Sequence, residues 1–264
     1  MHRNTPGLTR RRVIQAGTAL VAAAAVPGLS SAAMAASHTE MNNSIPSSSG
    51  KIDIMPVNHA SLALVAPGLT LYSDPVGDPS LYADLPAPDL VLITHEHGDH
   101  FNTDTLRAIT DSDTPLVVNP GVFAKLPSDL QSRATAIANN NMLLFGDMRI
   151  NAIPAYNTSA DRLQYHPQGR DNGYVLELDG TRVYIAGDTE DTPEMRALTG
   201  VDLAFVPMNL PYTMDIEQAA SGVLAFAPKV IYPYHYRGSD LEAFKSMVDA
   251  GGKEIDVRLY DWYG

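Results

Sequence analysis

The sequence predicts a single layered α/β domain preceded by an export signal. From Lys51 onward, short apolar runs rich in β-branched residues alternate with turn residues, which is typical of strands. Helix-start signals lie between several of these runs. No linker composition interrupts the chain after residue 50. Because strands and helices are mixed without a boundary, residues 51–264 are predicted to form one domain.

The composition excludes several classes of protein. The chain has 264 residues, of which 45% are hydrophobic and 18% charged, as is ordinary for a globular protein. The net charge is -12, and without the four arginines of residues 1–36 the remainder has 14 basic against 30 acidic residues. Such an acidic body repels phosphate backbones, so nucleic acid is not an expected partner. Since cysteine is absent, disulfides, thiol mechanisms and Cys-ligated zinc sites are excluded.

The N-terminus has the three-part layout of a signal peptide. Arg10-Arg11-Arg12 precedes an Ala-rich apolar stretch over Ala16–Val26, and Ala33-Met34-Ala35 offers a cleavage site. The paired arginines resemble a twin-arginine signal, so we expect residues 1–36 to engage the twin-arginine translocation machinery and direct export to the periplasm or the exterior. The apolar run is too short for stable membrane insertion. Residues 37–50 are polar and are predicted to be a flexible tether.

The predicted strands and helices alternate along the domain. Asp89–Thr94 is nearly all apolar, which indicates a strand buried on both faces, and Asp179-Gly180 is a hairpin turn signal. The predicted strands are Lys51–Val57, His59–Val65, Leu69–Ser73, Asp89–Thr94, Leu116–Val118, Met148–Ile153, Gly173–Leu178, Arg182–Ala186, Asp202–Val206 and Val230–Tyr234. The predicted helices run from an Asn102 cap to Ile109, over Glu194–Leu198, over Asp215–Phe226, and from a Ser239/Glu242 capping box to about Val248.

A dense group of metal-ligating side chains follows the buried strand. In Thr94-His95-Glu96-His97-Gly98-Asp99-His100, residues two apart at the end of a strand point the same way, so His95 and His97 can share one cation. Asp99 and His100 lie on the turn that follows and can face a second ion. Nitrogen and oxygen ligands of this kind suit Zn²⁺, Mn²⁺ or Fe. Burying so many polar groups requires a compensating partner, which favours metal.

These motifs resemble the metallo-β-lactamase fold superfamily. His-x-His-x-Asp-His after a strand is followed by a later Gly-Asp and by a last histidine after a strand. Tyr165-His166-Pro167-Gln168-Gly169, Gly173-Tyr174, Ala186-Gly187-Asp188-Thr189 and Tyr234-His235-Tyr236 resemble the branch that includes ascorbate-6-phosphate lactonase-like proteins. The resemblance covers about residues 51–260. It implies a four-layer αββα sandwich.

The resemblance also implies a site with two divalent ions, Zn²⁺ first and Mn²⁺ or Fe as alternatives. The first ion is expected on His95, His97 and His166, and the second on Asp99, His100 and His235, with Asp188 bridging them. Some relatives have a histidine after a Pro-Ala-aromatic motif. Here that motif leads to Asn157, so the third histidine is assigned to His166. The alternatives are a surface histidine at His166 and a turn residue at Asp188.

The predicted activity is hydrolysis of a small-molecule ester, lactone or phosphodiester by a metal-activated hydroxide, with lactone favoured by the resemblance. Asp99 would orient the hydroxide, His59 would bond substrate or a ligand, and Tyr212 or Tyr236 would donate to the oxyanion. Packing roles are equal alternatives for His59 and both tyrosines.

Three other functions compete with this prediction. A non-catalytic periplasmic metal-binding protein is the main alternative. A true β-lactamase is disfavoured, since those enzymes lack the bridging Asp and many use a Cys that is absent here. A flavo-diiron oxidoreductase needs a flavin domain for which this chain has no room. No sequence feature specifies an oligomeric state.

Overall fold

A computed structural model describes residues 43–263, which form two mixed seven-stranded sheets packed face to face. The first sheet contains β1 (Ser44–Ser47), β2 (Gly50–Asn58), β3 (Ser61–Ala66), β4 (Leu69–Ser73), β5 (Leu90–Ile93), β6 (Leu116–Val118) and β7 (Ala134–Ala136), in that spatial order. The second sheet contains β8 (Met142–Phe145), β9 (Met148–Ala155), β10 (Asp171–Leu178), β11 (Thr181–Ile185), β12 (Leu203–Pro207), β13 (Val230–Tyr234) and β14 (Asp256–Val257), also in consecutive order.

Each sheet changes from antiparallel to parallel pairing. The first four strands of each sheet pair antiparallel with their neighbours, and the remaining strands are added in parallel. Parallel neighbours require crossover connections, and most of the helices lie in these. The helices are α1 (Thr103–Ile109), α2 (Pro120–Lys125), α3 (Ser128–Gln131), α4 (Pro193–Arg196), α5 (Ile216–Phe226) and α6 (Leu241–Ala250), with a 3₁₀ turn at Pro79–Tyr82.

Alternation along the strands produces the layers. In β5, Leu90 and Leu92 face the core between the sheets, whereas Val91 and Ile93 pack under helices α1 to α3. The second sheet likewise packs one face on the first sheet and the other on α4 to α6. Fully burying one such aliphatic side chain contributes about 1.5–3 kcal/mol. The result is two sheets flanked by helices, as the αββα prediction requires.

The boundary predicted for the tether is wrong. Residues 44–47 form β1, which pairs with β2, and Ile45 is buried in the core between the sheets. The turn between these strands is held by Asp179, whose carboxylate accepts hydrogen bonds from the Ser47 and Ser49 side chains at 2.6 and 2.9 Å. Polar composition therefore concealed an edge strand. The predicted signal peptide and residues 37–42 lie outside the described residues.

The start of α6 also differs from the prediction. Asp240, rather than Ser239, caps this helix, because its carboxylate accepts a hydrogen bond from the backbone N–H of Ala243 at 3.0 Å. The Ser239 hydroxyl instead donates to the Met208 carbonyl. Among residues 43–263, no helix has both the length and the apolar character needed to cross a membrane.

Candidate metal centre

The predicted metal ligands converge at one edge of the two packed sheets. The loop after β5 supplies four of them, the β9–β10 loop supplies one, and residues at or just after the ends of β11 and β13 supply one each. Ligand atoms within 4.8 Å of one another form three groups: His95, His97, His166 and Asp188; His59, Asp99 and His235; and His100, Asp188 and His235. The structure thus brings together all seven side chains predicted to bind metal.

Asp188 lies at the middle of this cluster. Its Oδ2 atom is 3.3 Å from His166 Nε2 and 3.7 Å from His95 Nε2. Oδ2 also lies 3.4 Å from His235 Nε2, and Oδ1 lies 3.2 Å from His100 Nε2. Ligand atoms that share one tetrahedral Zn²⁺ at about 2.0–2.1 Å are about 3.3 Å apart. One carboxylate therefore faces four imidazoles at the spacing that shared ions produce.

Several of these atoms are buried without a hydrogen-bond partner. Within the described part of the chain, the Nε2 atoms of His95, His100 and His235 and the Oδ1 atom of Asp188 are all in this state. Buried polar atoms in folded proteins nearly always have partners, because leaving them unpaired is costly. Imidazole nitrogens and a carboxylate are also donors that divalent transition metals accept. The residues present therefore fit a metal ion.

Outer partners turn the imidazoles toward the cluster. The Nδ1 atom of His100 is 2.8 Å from the Asp74 carboxylate, and that of His166 is 3.0 Å from the Asp171 carboxylate. His95 Nδ1 lies 3.0 Å from the Thr94 hydroxyl. Each contact holds one ring nitrogen and leaves Nε2 to face inward, which is how metal-binding histidines are usually oriented.

Asp74 and Asp171 were not predicted from the sequence. Asp74 is fully buried and accepts hydrogen bonds from both the backbone N–H and the hydroxyl of Thr94, at 2.7 and 2.6 Å. A usable signal was present, because Asp74 directly follows β4, and β4 runs parallel to β5. Carboxyl ends of parallel neighbours meet at one edge of a sheet, which places Asp74 beside the loop after β5.

The backbone is strained around the centre. His59, Asp74 and His235 have φ values of 54°, 47° and 44°, in the left-handed region that non-glycine residues seldom adopt. Gly187, with φ of 65°, precedes Asp188, and a Cβ there would lie 2.7 Å from the Asn172 carbonyl oxygen and 3.2 Å from Thr94 Cβ. Only glycine lets the chain after β11 lie this close both to β10 and to Thr94 of the first sheet. Such strain is concentrated at functional sites.

The side chains of the cluster influence one another's charges. Burial and the neighbouring His100 hold the pKa of His95 well below its usual value. Burial opposes charging of His100 as well, but the Asp188 and Asp74 carboxylates outweigh it and raise the pKa of His100. Burial also opposes ionisation of Asp188, yet His235 and His100 hold its pKa well below the usual range. The central carboxylate is therefore ionised and suited to cations.

A pocket of about 1060 Å³ opens onto the cluster. His97 and Asp99 line it, and the Asp99 side chain is 49% exposed, so both halves of the cluster are accessible from the pocket. Tyr212, a predicted oxyanion donor, lies on the pocket wall edge-to-face with Tyr165, with ring centroids 5.1 Å apart. The volume is at the upper end of the range for small-molecule sites.

The prediction for Tyr236 is wrong. Its hydroxyl donates to the Tyr260 carbonyl at 3.1 Å and accepts from the Trp262 backbone N–H at 3.2 Å. Tyr236 is not among the residues that line the pocket. The C-terminal segment therefore uses the hydroxyl group that was assigned to the oxyanion.

His59 lies in the turn between β2 and β3, and its side chain contacts the cluster. Its Nε2 atom is 3.2 Å from Asp99 Oδ2, and its ring centroid is 3.8 Å from that of His235. Burial is the main cause that lowers the pKa of His59, and its contact with Asp99 opposes this. The side chain lies against a predicted ligand and also lines the pocket.

Asn157, which stands where some relatives have a histidine, shapes the loop that carries His166. Its backbone N–H donates to the His166 carbonyl at 2.8 Å. Its buried side-chain amide donates to the carbonyls of Tyr212 and Arg162, at 2.8 and 3.0 Å. Asn157, where this chain departs from the relatives' motif, thus anchors the loop from which His166 reaches the cluster.

Comparisons with known proteins agree with this geometry. A family model described as "Beta-lactamase superfamily domain" matches residues 53–235. A UPF0173 metal-dependent hydrolase from Thermococcus onnurineus is 32% identical over 169 residues, which cover 61% of this chain and 74% of the relative.

Two solved structures extend the match across the domain. A Parabacteroides distasonis protein assigned as a metal-dependent hydrolase is 40% identical, with a TM-score of 0.76 over 84% of this chain and 98% of that chain. A metallo hydrolase from Ignicoccus hospitalis is 25% identical, with a TM-score of 0.67 over 81% of this chain and 96% of that chain. With its two helix-flanked sheets and its histidine–aspartate cluster, the chain belongs to the β-lactamase superfamily, in the UPF0173 metal-dependent hydrolase family with the metallo-β-lactamase fold.

Proposed function

We propose that this chain is a metal-dependent hydrolase that uses two divalent ions to cleave an ester, lactone or phosphodiester bond in a small molecule. The supporting observation is the position of Asp188, a buried carboxylate 3.2–3.7 Å from the Nε2 atoms of four histidines. Three of those nitrogens have no hydrogen-bond partner among the described residues. The names of the relatives support the same class of reaction.

The proposed ligands divide into two sets that share Asp188. His95, His97 and His166 would hold the first ion. Asp99, His100 and His235 would hold the second, with His235 common to the group that contains Asp99 and the group that contains His100. Imidazole-rich sites with a bridging carboxylate favour Zn²⁺, with Mn²⁺ and Fe as alternatives.

The chemistry that divalent ions would supply at this centre is activation of a water molecule near neutral pH and polarisation of a carbonyl or phosphoryl oxygen. The protein then has to orient the water and manage its proton. Asp99 is placed for this task, because its carboxylate is half-exposed and faces the pocket. The Tyr212 side chain on the pocket wall brings a hydroxyl donor to the same space.

The pocket favours catalysis over the non-catalytic metal-binding alternative. Structural zinc sites are closed by protein ligands, whereas catalytic sites keep an open position for water or substrate. Here Asp99 and His97 line a pocket large enough for a metabolite. Among the substrate classes, lactone has the added support of the resemblance to ascorbate-6-phosphate lactonase-like proteins.

The test combines metal analysis with a substrate panel of lactones, phosphodiesters, carboxylic esters and nitrocefin. Asp188→Asn is expected to lose both ions and all turnover. Asp104→Asn makes the same chemical change on the exposed side of α1 and should keep the two ions and the turnover. Turnover by folded, metal-free protein would refute the proposal. Two bound ions without turnover of any substrate class would favour the non-catalytic metal-binding alternative.

We also propose that residues 1–36 direct twin-arginine export. The support is Arg10-Arg11 ahead of the Ala-rich stretch. Replacing both arginines by lysine keeps the charge and should trap the full chain in the cytoplasm of a host that has the twin-arginine machinery. Unchanged export of this variant would contradict the proposal.

A further inference from the structure

The end of the described chain reaches the metal centre through one tyrosine. The hydroxyl of Tyr263 lies 2.8 Å from His59 Nδ1. The same hydroxyl accepts a hydrogen bond from the backbone N–H of Arg237 at 3.0 Å. The segment is held there by the backbone, because the His59 N–H donates to the Trp262 carbonyl at 3.2 Å, and Trp262 is buried.

The partners on either side of His59 determine where its ring proton lies. An ionised Asp99 can only accept, so His59 Nε2, 3.2 Å from Asp99 Oδ2, must carry a proton. The Arg237 N–H can only donate, so it occupies an acceptor site on the Tyr263 oxygen. In a neutral imidazole, Nδ1 is then the acceptor, and the Tyr263 hydroxyl donates its proton to it.

The surroundings favour this neutral form. His59 is 8% exposed, and its ring lies 3.8 Å from the His235 ring, measured between centroids. The proposed cations beside His235 and Asp99 would also repel an imidazolium. Since Nε2 carries the proton, it has no lone pair for a metal. His59 is therefore not a metal ligand as Asp99 and His235 are proposed to be, although its nitrogen lies close enough to theirs to share an ion.

We propose that Tyr263 and His59 are positioning residues, in which Tyr263 selects the Nε2–H form of His59 and that N–H holds Asp99 toward the second ion. This inference rests on the proposed two-ion function. Asp99 is half-exposed, and within the described residues its carboxylate contacts His59 and, at 3.4 Å, His235. Losing the His59 contact leaves the carboxylate free to rotate into the pocket. Loss of such an outer partner typically costs roughly 10–100-fold in metal affinity.

The test titrates metal-free full-length protein with Zn²⁺ and resolves the two binding steps by calorimetry. Tyr263→Phe should weaken the second ion roughly 10–100-fold and leave the first unchanged. Tyr260→Phe removes a hydroxyl from the same segment without touching His59, and should bind both ions normally. Thermal unfolding of each metal-free variant checks that the fold is retained.

Two substitutions of His59 distinguish a hydrogen-bond donor from a metal ligand. His59→Gln can place an amide N–H near the position of Nε2, so it should retain second-ion affinity within about threefold of the parent protein. His59→Asn reaches only as far as Nδ1 and should weaken the ion as Tyr263→Phe does. The inference is overturned if His59→Gln lowers the affinity for the second ion as much as His59→Asn does. It is also overturned if Tyr263→Phe leaves that affinity unchanged.

The histidine ¹⁵N chemical shifts give a readout that is independent of variants. They should show a protonated Nε2 and an unprotonated Nδ1 on His59 in the loaded protein, and the reverse pattern would refute the proposal. Failure of the parent chain to bind two ions would instead refute the proposed function. Two bound ions with the wrong tautomer would refute the inference alone.

Discussion

The two sheets supply the centre in different ways. The first sheet places His95, His97, Asp99 and His100 on one loop of six residues after β5. The second sheet supplies His166, Asp188 and His235 from three segments that are far apart in the sequence. The first set is therefore positioned largely by local backbone geometry, whereas the second depends on the packing of an entire sheet.

The outer support differs as well. Asp74, behind His100, is fully buried, and its carboxylate accepts from Thr94 as well as from the imidazole. Asp171, behind His166, also pairs with the Arg170 guanidinium at 2.7 Å. Because that cation takes up part of the Asp171 charge, His166 receives less electrostatic support than His100 does. We therefore expect the ion beside His100 to be the more tightly held.

Removal of both proposed ions should have the largest effect. At free metal 100 times the dissociation constant, each ion adds about 2.7 kcal/mol to the free energy of unfolding, so chelation should cost roughly 5 kcal/mol. Denaturant unfolding with and without chelator measures this. Hydrogen exchange should rise more in the loops carrying His166 and His235 than in residues 95–100. Equal exchange in all three loops would break the contrast between the sheets.

Gly187→Ala tests whether the chain after β11 must lie this close to β10 and to the first sheet. The added Cβ would meet the Asn172 carbonyl and Thr94 in addition to adopting an unfavourable φ, so unfolding free energy should fall by roughly 3 kcal/mol. Gly146→Ala is the matched control, because its φ is also positive (56°) but no atom lies within 4 Å of the new Cβ. It should cost only about 1–2 kcal/mol. Equal losses in urea unfolding would show that the close contacts at Gly187 do not limit stability.

Asp74→Asn and Asp171→Asn sharpen the comparison of the outer partners. Each should weaken its own ion by roughly 10–100-fold, and Asp74→Asn should be at the upper end because Asp171, unlike Asp74, shares its charge with the Arg170 guanidinium. Competition with a chromophoric chelator resolves the two affinities. A larger effect from Asp171→Asn, or equal weakening of both ions by either variant, would contradict the proposed asymmetry.

The smallest predicted changes in unfolding free energy come from removing the hydroxyl of one tyrosine in each sheet. Tyr72 in the first sheet donates a hydrogen bond to the Pro86 carbonyl at 2.8 Å, so Tyr72→Phe should cost about 1 kcal/mol. Tyr184 in the second sheet is buried, and its hydroxyl has no hydrogen-bond partner within residues 43–263. Tyr184→Phe should be neutral or stabilising by about 1 kcal/mol. Urea unfolding measures both, and a loss at Tyr184 would mean that its hydroxyl is satisfied.

The loop of the first sheet was predictable because its chemistry is contiguous. Four ligand-type side chains follow one apolar strand, and the strand itself was placed within one residue at each end. The dispersed residues of the second sheet were located only through the family's motif order. Nothing local distinguishes Asp188 from an ordinary turn aspartate.

The remaining features depend on contacts that short sequence patterns do not encode. Asp74 meets His100 across 26 residues, and Tyr263 meets His59 across 204. β8 is short with exposed positions, and β14 has two residues, so neither produces a periodic signal. At α6, Ser239 and Asp240 are both good caps, and only the tertiary contact with Met208 decides between them.

Because Asp188 faces ligands from both sheets, binding of both proposed ions would require the two sheets to be packed together. Its carboxylate faces His95 and His100 from one sheet and His166 and His235 from the other, so a half-formed molecule offers only part of either ligand shell. A chain that carries both ions has, for that reason, already closed its two sheets on each other. Under the export that we propose, metal loading inside the cell would thus mark the molecules that are finished and ready to leave.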